Sequence, residues 1–232
     1  MPDTSPQHKP KTRRTKDFDL AVLGQLDYVS LPKQARSERS LQRVLAALES
    51  LLEKRSFAEI SIPEIAARSR CSAATIYGRF KDKHSILAAL HESLRVPMFA
   101  ELEQLLDPHR WIDRDLEQLS EEFCTKLVGF YRRDWNLMTA VLVSGDPEVF
   151  QRANQNIQHT IDCFGDAVRR LRGGDIGVVE GRVGMGVRAV FALVQQRLLF
   201  GSAVSGSNAE HTDPPFAAEL AALLRICVRG TP

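Results

Sequence analysis

The sequence predicts an all-α protein: an N-terminal three-helix helix-turn-helix domain followed by a larger helical domain. Three observations carry that prediction. Apolar residues recur at spacings of three and four through most of the chain, several of these stripes begin at recognisable caps, and no segment sustains the alternation of a strand. With 232 residues, 44% of them apolar and 26% charged, the chain is long enough for one large or two small domains with buried cores. No run of about 18 apolar residues occurs and the charged N-terminus lacks a signal-peptide core, so a cytoplasmic protein with no membrane partner is expected. Cys71, Cys124, Cys163 and Cys227 lie far apart without a Cys-x-x-Cys pair, which indicates neither a zinc site nor a disulfide framework, and no cofactor is expected.

The elements follow in order. Residues 1–16 carry Pro2, Pro6 and Pro10 among Lys9, Lys11, Arg13, Arg14 and Lys16 with no apolar period, the composition of a flexible basic arm. Phe18, Val22, Leu23 and Leu26 form one face of a short helix that Gly24 weakens and Pro32 ends, and the arm is bounded at 1–35. Leu41, Val44, Leu45, Leu48, Leu51 and Leu52 then make one helical stripe. Ser61 and Glu64 have capping-box spacing before a helix near 62–69 with Ile65 and Ala66 inward. Ser72 caps a second helix reaching Phe80, with Ala73, Ile76 and Phe80 inward, and Asp82 caps a third bearing Ile86, Leu87, Leu90 and Leu94. Two short helices about three residues apart are a helix-turn-helix pattern, and the domain is placed at 36–92.

The stretch 93–232 continues in the same idiom. One stripe runs through Leu116, Leu119, Phe123, Leu127, Phe130 and Tyr131, and another from Val149 to Leu171 behind the Asp146-Pro147 start and ahead of a Gly173-Gly174 stop. A long helix from Asp175 to Phe200 ends at Gly201, and Pro214-Pro215 open a last helix through Leu220, Leu223, Leu224 and Cys227. Charge is divided along this plan. Residues 1–90 carry 16 Lys and Arg against 10 Asp and Glu, whereas residues 91–232 carry 15 against 19, which places any polyanion partner at the N-terminal part.

Residues 37–90 resemble the DNA-binding domain of TetR-type transcriptional regulators. The resemblance rests on the Leu41–Leu52 stripe, Phe57, Ile60-Ser61, Ile65-Ala66-Ala67, Cys71-Ser72, Thr75-Ile76-Tyr77, Phe80 and Lys83. In two places the chain departs from the family: Ser56 and Arg70 stand where glycine is common, at positions whose backbone torsions glycine tolerates best.

The second helix of a helix-turn-helix lies in the major groove. Its outward face here holds Ala74 and Gly78 flanked by Thr75 and Tyr77, so the backbone can approach the bases while few side chains read them. Thr75 and Arg79 are the candidate readers. Ser72, Arg70 and Tyr77 join them as candidate DNA contacts, with Tyr77 matching a phosphate-contacting tyrosine of the family. Lys83, at a helix start, is expected to meet a phosphate, and Arg13 and Arg14 are placed to enter a minor groove or to remain solvated.

The second domain contains no defensible catalytic constellation, so no enzyme is expected. Its aromatics are core in the plain reading; in the family-implied reading Phe123, Tyr131, Trp135, Met138, Phe164 and Phe191 line a small-molecule pocket, with Arg188 either the polar group that orients the ligand or a surface or interface residue. The resemblance further implies a homodimer through a four-helix bundle of residues 176–200 and 215–229. Gly181, Gly184, Leu220 and Leu223 lie in its interface, although the glycines of the long helix, Gly177 and Gly186 among them, equally suit packing within one chain. The expectation is a repressor released from a pseudo-palindromic double-stranded DNA operator by a small apolar or aromatic effector. An architectural DNA-binding protein without an effector, and a helical enzyme with a basic module, are the alternatives.

Overall fold

The computed structural model describes residues 35–171, 180–205 and 214–229 together with Phe18 and Leu23. The arm arginines, Gly173-Gly174 and Gly177 lie outside the described residues. Among those described the protein is all-α. The first helix, α1 (Ala35–Leu52), buries the expected stripe of Leu41, Val44, Leu45 and Leu48 completely. After a 3-10 turn at Phe57–Glu59 come α2 (Ile62–Ser69) and α3 (Ala73–Tyr77). The third of these stops earlier than Phe80, because Gly78 caps it and the chain turns before Asp82 caps α4 (Lys83–Leu105), accepting from the Ser85 amide at 2.8 Å. Ala73 is exposed rather than inward; Ile76 and Phe80 alone anchor this segment, each 1% exposed.

A 3-10 turn at Pro108–Trp111 precedes α5 (Leu116–Arg133), α6 (Trp135–Ser144) and α7 (Pro147–Arg170). Asp146 caps α7 as expected, accepting from the Glu148 amide at 2.9 Å. Trp111 is fully buried and its indole N–H donates to the Leu105 carbonyl at 2.9 Å, which satisfies its one polar group. The last two helices are α8 (Glu180–Ser205), which continues past Gly201 where a stop was expected, and α9 (Pro214–Arg229).

Two apolar clusters organise these helices. The N-terminal one joins α1, α2, Ile76, Phe80 and the first half of α4, and it also takes Leu137, Ala140 and Val141 from α6 and Val149 from α7. Phe18 and Leu23, inside the stretch expected to be a flexible arm, are buried there, and the Gln42 side chain brackets the Phe18 backbone, accepting from its N–H at 2.8 Å and donating to its carbonyl at 2.5 Å. The second cluster joins the end of α4 to α5, α7, α8 and α9. Helix α4 thus serves both cores. Every residue from Ser85 to Arg95 is buried, among them the Glu92–Arg95 ion pair, whose Arg95 Nε donates to Glu92 Oε2 at 2.9 Å. The segment Gly181–Phe200 is long and apolar enough by composition to cross a bilayer, and here Val183, Val187, Val190, Phe191, Val194 and Leu198 place one side of it in the second core.

Candidate nucleic-acid interface and helical effector domain

The helix-turn-helix is fixed from beneath. Glu64, three residues after the capping Ser61 of α2, accepts from the Ser61 N–H at 2.8 Å and the Ser61 hydroxyl at 2.7 Å, and Arg55 donates to its other oxygen at 2.7 Å. These bonds, the Ser61 hydroxyl foremost and Arg55 next, hold its carboxyl down at about 2. Helix α2 then ends at Arg70 in the left-handed conformation, φ 54° and ψ 39°, with its N–H directed at the Ala66 and Ala67 carbonyls. Arg70 is the one positive-φ residue other than glycine among the described residues. The torsion anticipated from the family's glycine is therefore present and is borne by an arginine. Ser56 differs: at φ −67° and ψ 151° it is ordinary extended backbone, and its N–H donates to Glu59 at 3.2 Å, so no glycine torsion is needed there.

From this base α3 projects outward. Ser72, Ala74, Thr75, Tyr77 and Gly78 are all exposed, Tyr77 at 58%, with Arg70 exposed beside them and Arg79 half-buried at the flank. Ser72 caps the helix by accepting from the Thr75 N–H at 3.1 Å, and the two hydroxyls lie 2.8 Å apart. Gly78 is a helix C-cap with helical torsions, φ −68° and ψ −7°, rather than an interior residue. The expected close approach of backbone to bases rests on Ala74 together with this terminal glycine.

Lys83 departs from expectation. Its ammonium donates to the Phe57 carbonyl at 2.8 Å and the Ile60 carbonyl at 2.7 Å and sits 4.3 Å from the centre of the Phe57 ring. Two of its three donors thus hold the Phe57–Glu59 turn to the start of α4, and burial lowers its pKa against the opposing field of Glu64. Its side chain points inward. No local signal marks these partners, which stand 23 and 26 residues earlier in the chain.

In the second domain Phe123, Phe164 and Phe191 are buried against one another in the core, with Phe123 edge-on to Phe164 at 5.2 Å and to Phe191 at 6.5 Å, and Phe99 stacked on Phe191 at 6.3 Å. Tyr131 and Met138 are buried and Trp135 is half-buried against the same cluster. Burial pushes the Tyr131 phenol up while a hydrogen bond with Gln195 opposes the shift. Arg188 does not join them: it is exposed and donates to Gln158 Oε1 at 2.5 Å, because its position on α8 faces away from the core. A groove of about 640 Å³ runs along α4 and α5, lined by Glu101, Leu105, Lys126, Phe130 and Arg133 among others, and none of the seven expected effector residues lines it.

The four expected interface residues divide. Gly181 is exposed with open space around it, and Leu223 is half-buried. Gly184 faces Ile161 of its own chain, where a Cβ would lie 3.7 Å from the Ile161 methyl, and Leu220 is 2% exposed inside the second core. Leu220 therefore packs within the chain and is not free for a partner. Gly186 shows the other reading of the small-residue pattern, since a Cβ there would lie 2.9 Å from Leu224 Cδ1 and 3.0 Å from Cys227 Cβ, so the glycine lets α8 and α9 approach.

Residues 44–90 match the family described as bacterial regulatory proteins, tetR family. No curated protein matches the chain. Among solved structures, a TetR transcription regulator from Haloarcula marismortui is 16% identical over 82% of this chain and 97% of its own, with a TM-score of 0.60. SmeT, the repressor of the Stenotrophomonas maltophilia multidrug efflux pump SmeDEF, is 21% identical over 80% of this chain and 88% of its own, TM-score 0.55. The Bacillus subtilis transcriptional regulator FadR, solved in complex with stearoyl-CoA, is 14% identical over 82% and 98%, TM-score 0.52. At these identities the likeness is one of fold, and it spans both domains.

Proposed function

We propose that this chain, whose residues 44–90 form a helix-turn-helix of the tetR family on the fold of TetR-type regulators, is a cytoplasmic homodimeric repressor released from DNA by a small apolar or aromatic effector. One observation carries the DNA-binding half of this reading. The five-residue helix α3 presents Ser72, Ala74, Thr75, Tyr77 and Gly78 together to solvent while Ile76 and Phe80 lock it to the domain core. A helix with bare small residues outward and a rigid base is shaped for a groove. Thr75 and Arg79 read bases; Tyr77 and Arg70 meet phosphates.

Dimerisation is supported by the unpartnered apolar stripe on the last two helices: Met185, Leu199 and Phe200 of α8 and Ile226 of α9 are 67%, 39%, 56% and 58% exposed. Two-fold symmetry then sets two half-sites about one helical turn, or a multiple of it, apart. Effector binding is supported by the aromatic cluster at Phe123, Phe164 and Phe191 and by the stearoyl-CoA held by the FadR relative of the same fold. Coupling has a physical route, because the single helix α4 passes from the DNA-reading core into the effector core, with Pro97 at the junction between them. Footprinting the full-length protein on the DNA flanking its own gene is the test. A protected pseudo-palindrome, bound by a dimer in sedimentation, is the expected result; monomers that retain full operator affinity, or no protected site, would overturn the proposal.

A further inference from the structure

We propose that Glu103 near the end of α4 and His159 and Cys163 on α7 form a binding site for a divalent cation of the zinc class. The carboxylate, imidazole and thiol ligand atoms all lie within 4.8 Å of one another. His159 Nε2 stands 3.3 Å from Glu103 Oε1 and 3.6 Å from Cys163 Sγ. A tetrahedral zinc ion, bonded at about 2.0–2.1 Å to nitrogen and oxygen and about 2.3 Å to sulfur, separates its nitrogen and oxygen ligands by about 3.3 Å and its nitrogen and sulfur ligands by about 3.6 Å. Both separations already match.

The rest of the arrangement agrees with an ion. His159 and Cys163 are four residues apart, so one helical turn holds both on the same side of α7, and the facing helix supplies the third ligand. One oxygen, one nitrogen and one sulfur suit a borderline-soft ion; magnesium or calcium would call for oxygens alone. Glu103 and His159 are 60% and 54% exposed, which gives an ion access from solvent and leaves its fourth position open to water. Burial and the fields of Glu103, Asp166 and Asp162 hold the Cys163 thiol above its ordinary range. A dication inverts that effect: the same carboxylates attract it, and the thiol releases its proton to solvent as the sulfur–metal bond forms. One carboxylate and one thiolate then neutralise the ion's two charges. The occupied site would pin the end of α4 to α7, and it stands independently of whether the chain binds DNA.

The test uses tag-free, full-length protein, chelator-stripped and with its thiols reduced, titrated with Co²⁺. The expected result is saturation at one ion per chain with a thiolate-to-cobalt charge-transfer band in the near ultraviolet, displaced by Zn²⁺. Cys163→Ser should abolish the band, and His159→Ala and Glu103→Gln should each weaken binding by at least about 10-fold, the lower end of what losing even an outer-shell partner costs. Unchanged far-ultraviolet circular dichroism shows that the variants are folded, and an added 100 Kd of free Zn²⁺ should protect the wild type against thermal unfolding more than any of the three variants. Absence of the band from wild type, its persistence in Cys163→Ser, or undiminished affinity in His159→Ala would overturn the site.

Discussion

Lys83→Met removes the ammonium but keeps the aliphatic stem over Phe57. In the structure that ammonium donates to the carbonyls of Phe57 and Ile60 at 2.8 and 2.7 Å and lies over an aromatic ring. Hydrogen bonds from a charged donor contribute about 1.5–3 kcal/mol each and an exposed cation–ring contact about 0.5–1 kcal/mol. Lys83 is half-buried, so solvent screening brings the expected loss to about 2 kcal/mol. For a chain of this size that is a fall in Tm of about 4–8 °C, read by thermal or urea unfolding. The same variant is then titrated against operator DNA at several salt concentrations. A lysine held inside the domain leaves the slope of log affinity against log salt unchanged, whereas one that neutralises a phosphate flattens it by about 1. A variant as stable as wild type with the slope reduced by about 1 would refute the assignment of Lys83 as an internal clamp.

Arg70→Gly should raise stability by about 0.5–1 kcal/mol in urea unfolding, since the left-handed torsion of 54° costs an L-residue about 1–2 kcal/mol and the added unfolded-chain entropy returns part of that; any destabilisation contradicts the strain argument. Gly186→Ala should destabilise by about 1 kcal/mol, the crowding against Leu224 and Cys227 outweighing the better helix former, while Gly129→Ala on the open side of α5 should be neutral or stabilising; equal effects would contradict the close packing of α8 on α9. His91 is buried in α4 with its pKa lowered by desolvation from 6.5 to about 4 and its Nδ1 without a partner. The unfolded chain therefore binds a proton that the folded chain refuses, so stability is present above about 6.5 and falls by up to about 3 kcal/mol as pH drops towards 4; His91→Leu should flatten that part of the profile in stability measurements.

Much of the DNA-reading domain was legible because its signals are local. A stripe such as Leu41–Leu52, a capping serine such as Ser72 and an N-cap aspartate such as Asp82 or Asp146 act within one or two turns of their own position. The left-handed torsion at Arg70 was likewise readable from the position where a glycine is usual. The stretch from Ser85 to Arg95 was not, since a helix buried on all sides has no amphipathic stripe and its polar residues read as surface until Glu92 and Arg95 are seen paired. Arg188 stays undecided in the sequence for the converse reason: a charge inside an apolar run marks either a polar group in a pocket or the solvent side of the helix, and only the packing of α8 decides for the surface. The spacing of His159 and Cys163 on one helical face is visible in the sequence, whereas Glu103 lies 56 residues before His159 on another helix and only the packing of α4 on α7 brings it to them.

The sequence by itself determined that the chain is helical, where most of its helices begin, and that a helix-turn-helix of tetR type stands near the N-terminus, because backbone propensity, capping and periodicity are properties of neighbours along the chain. Only the tertiary structure decided which way each long side chain turns and which surfaces are left over. Lys83 points into its own domain because two carbonyls, at the start and the C-cap of a 3-10 turn more than 20 residues earlier, lie within its reach. Leu220 belongs to the chain's own core and Ile226 to its surface because α9 lies against α5 and α8 along one side only, the side on which Leu224 meets Gly186. Burial is a property of the assembled helices, set by complementary volumes that no single stretch of sequence contains.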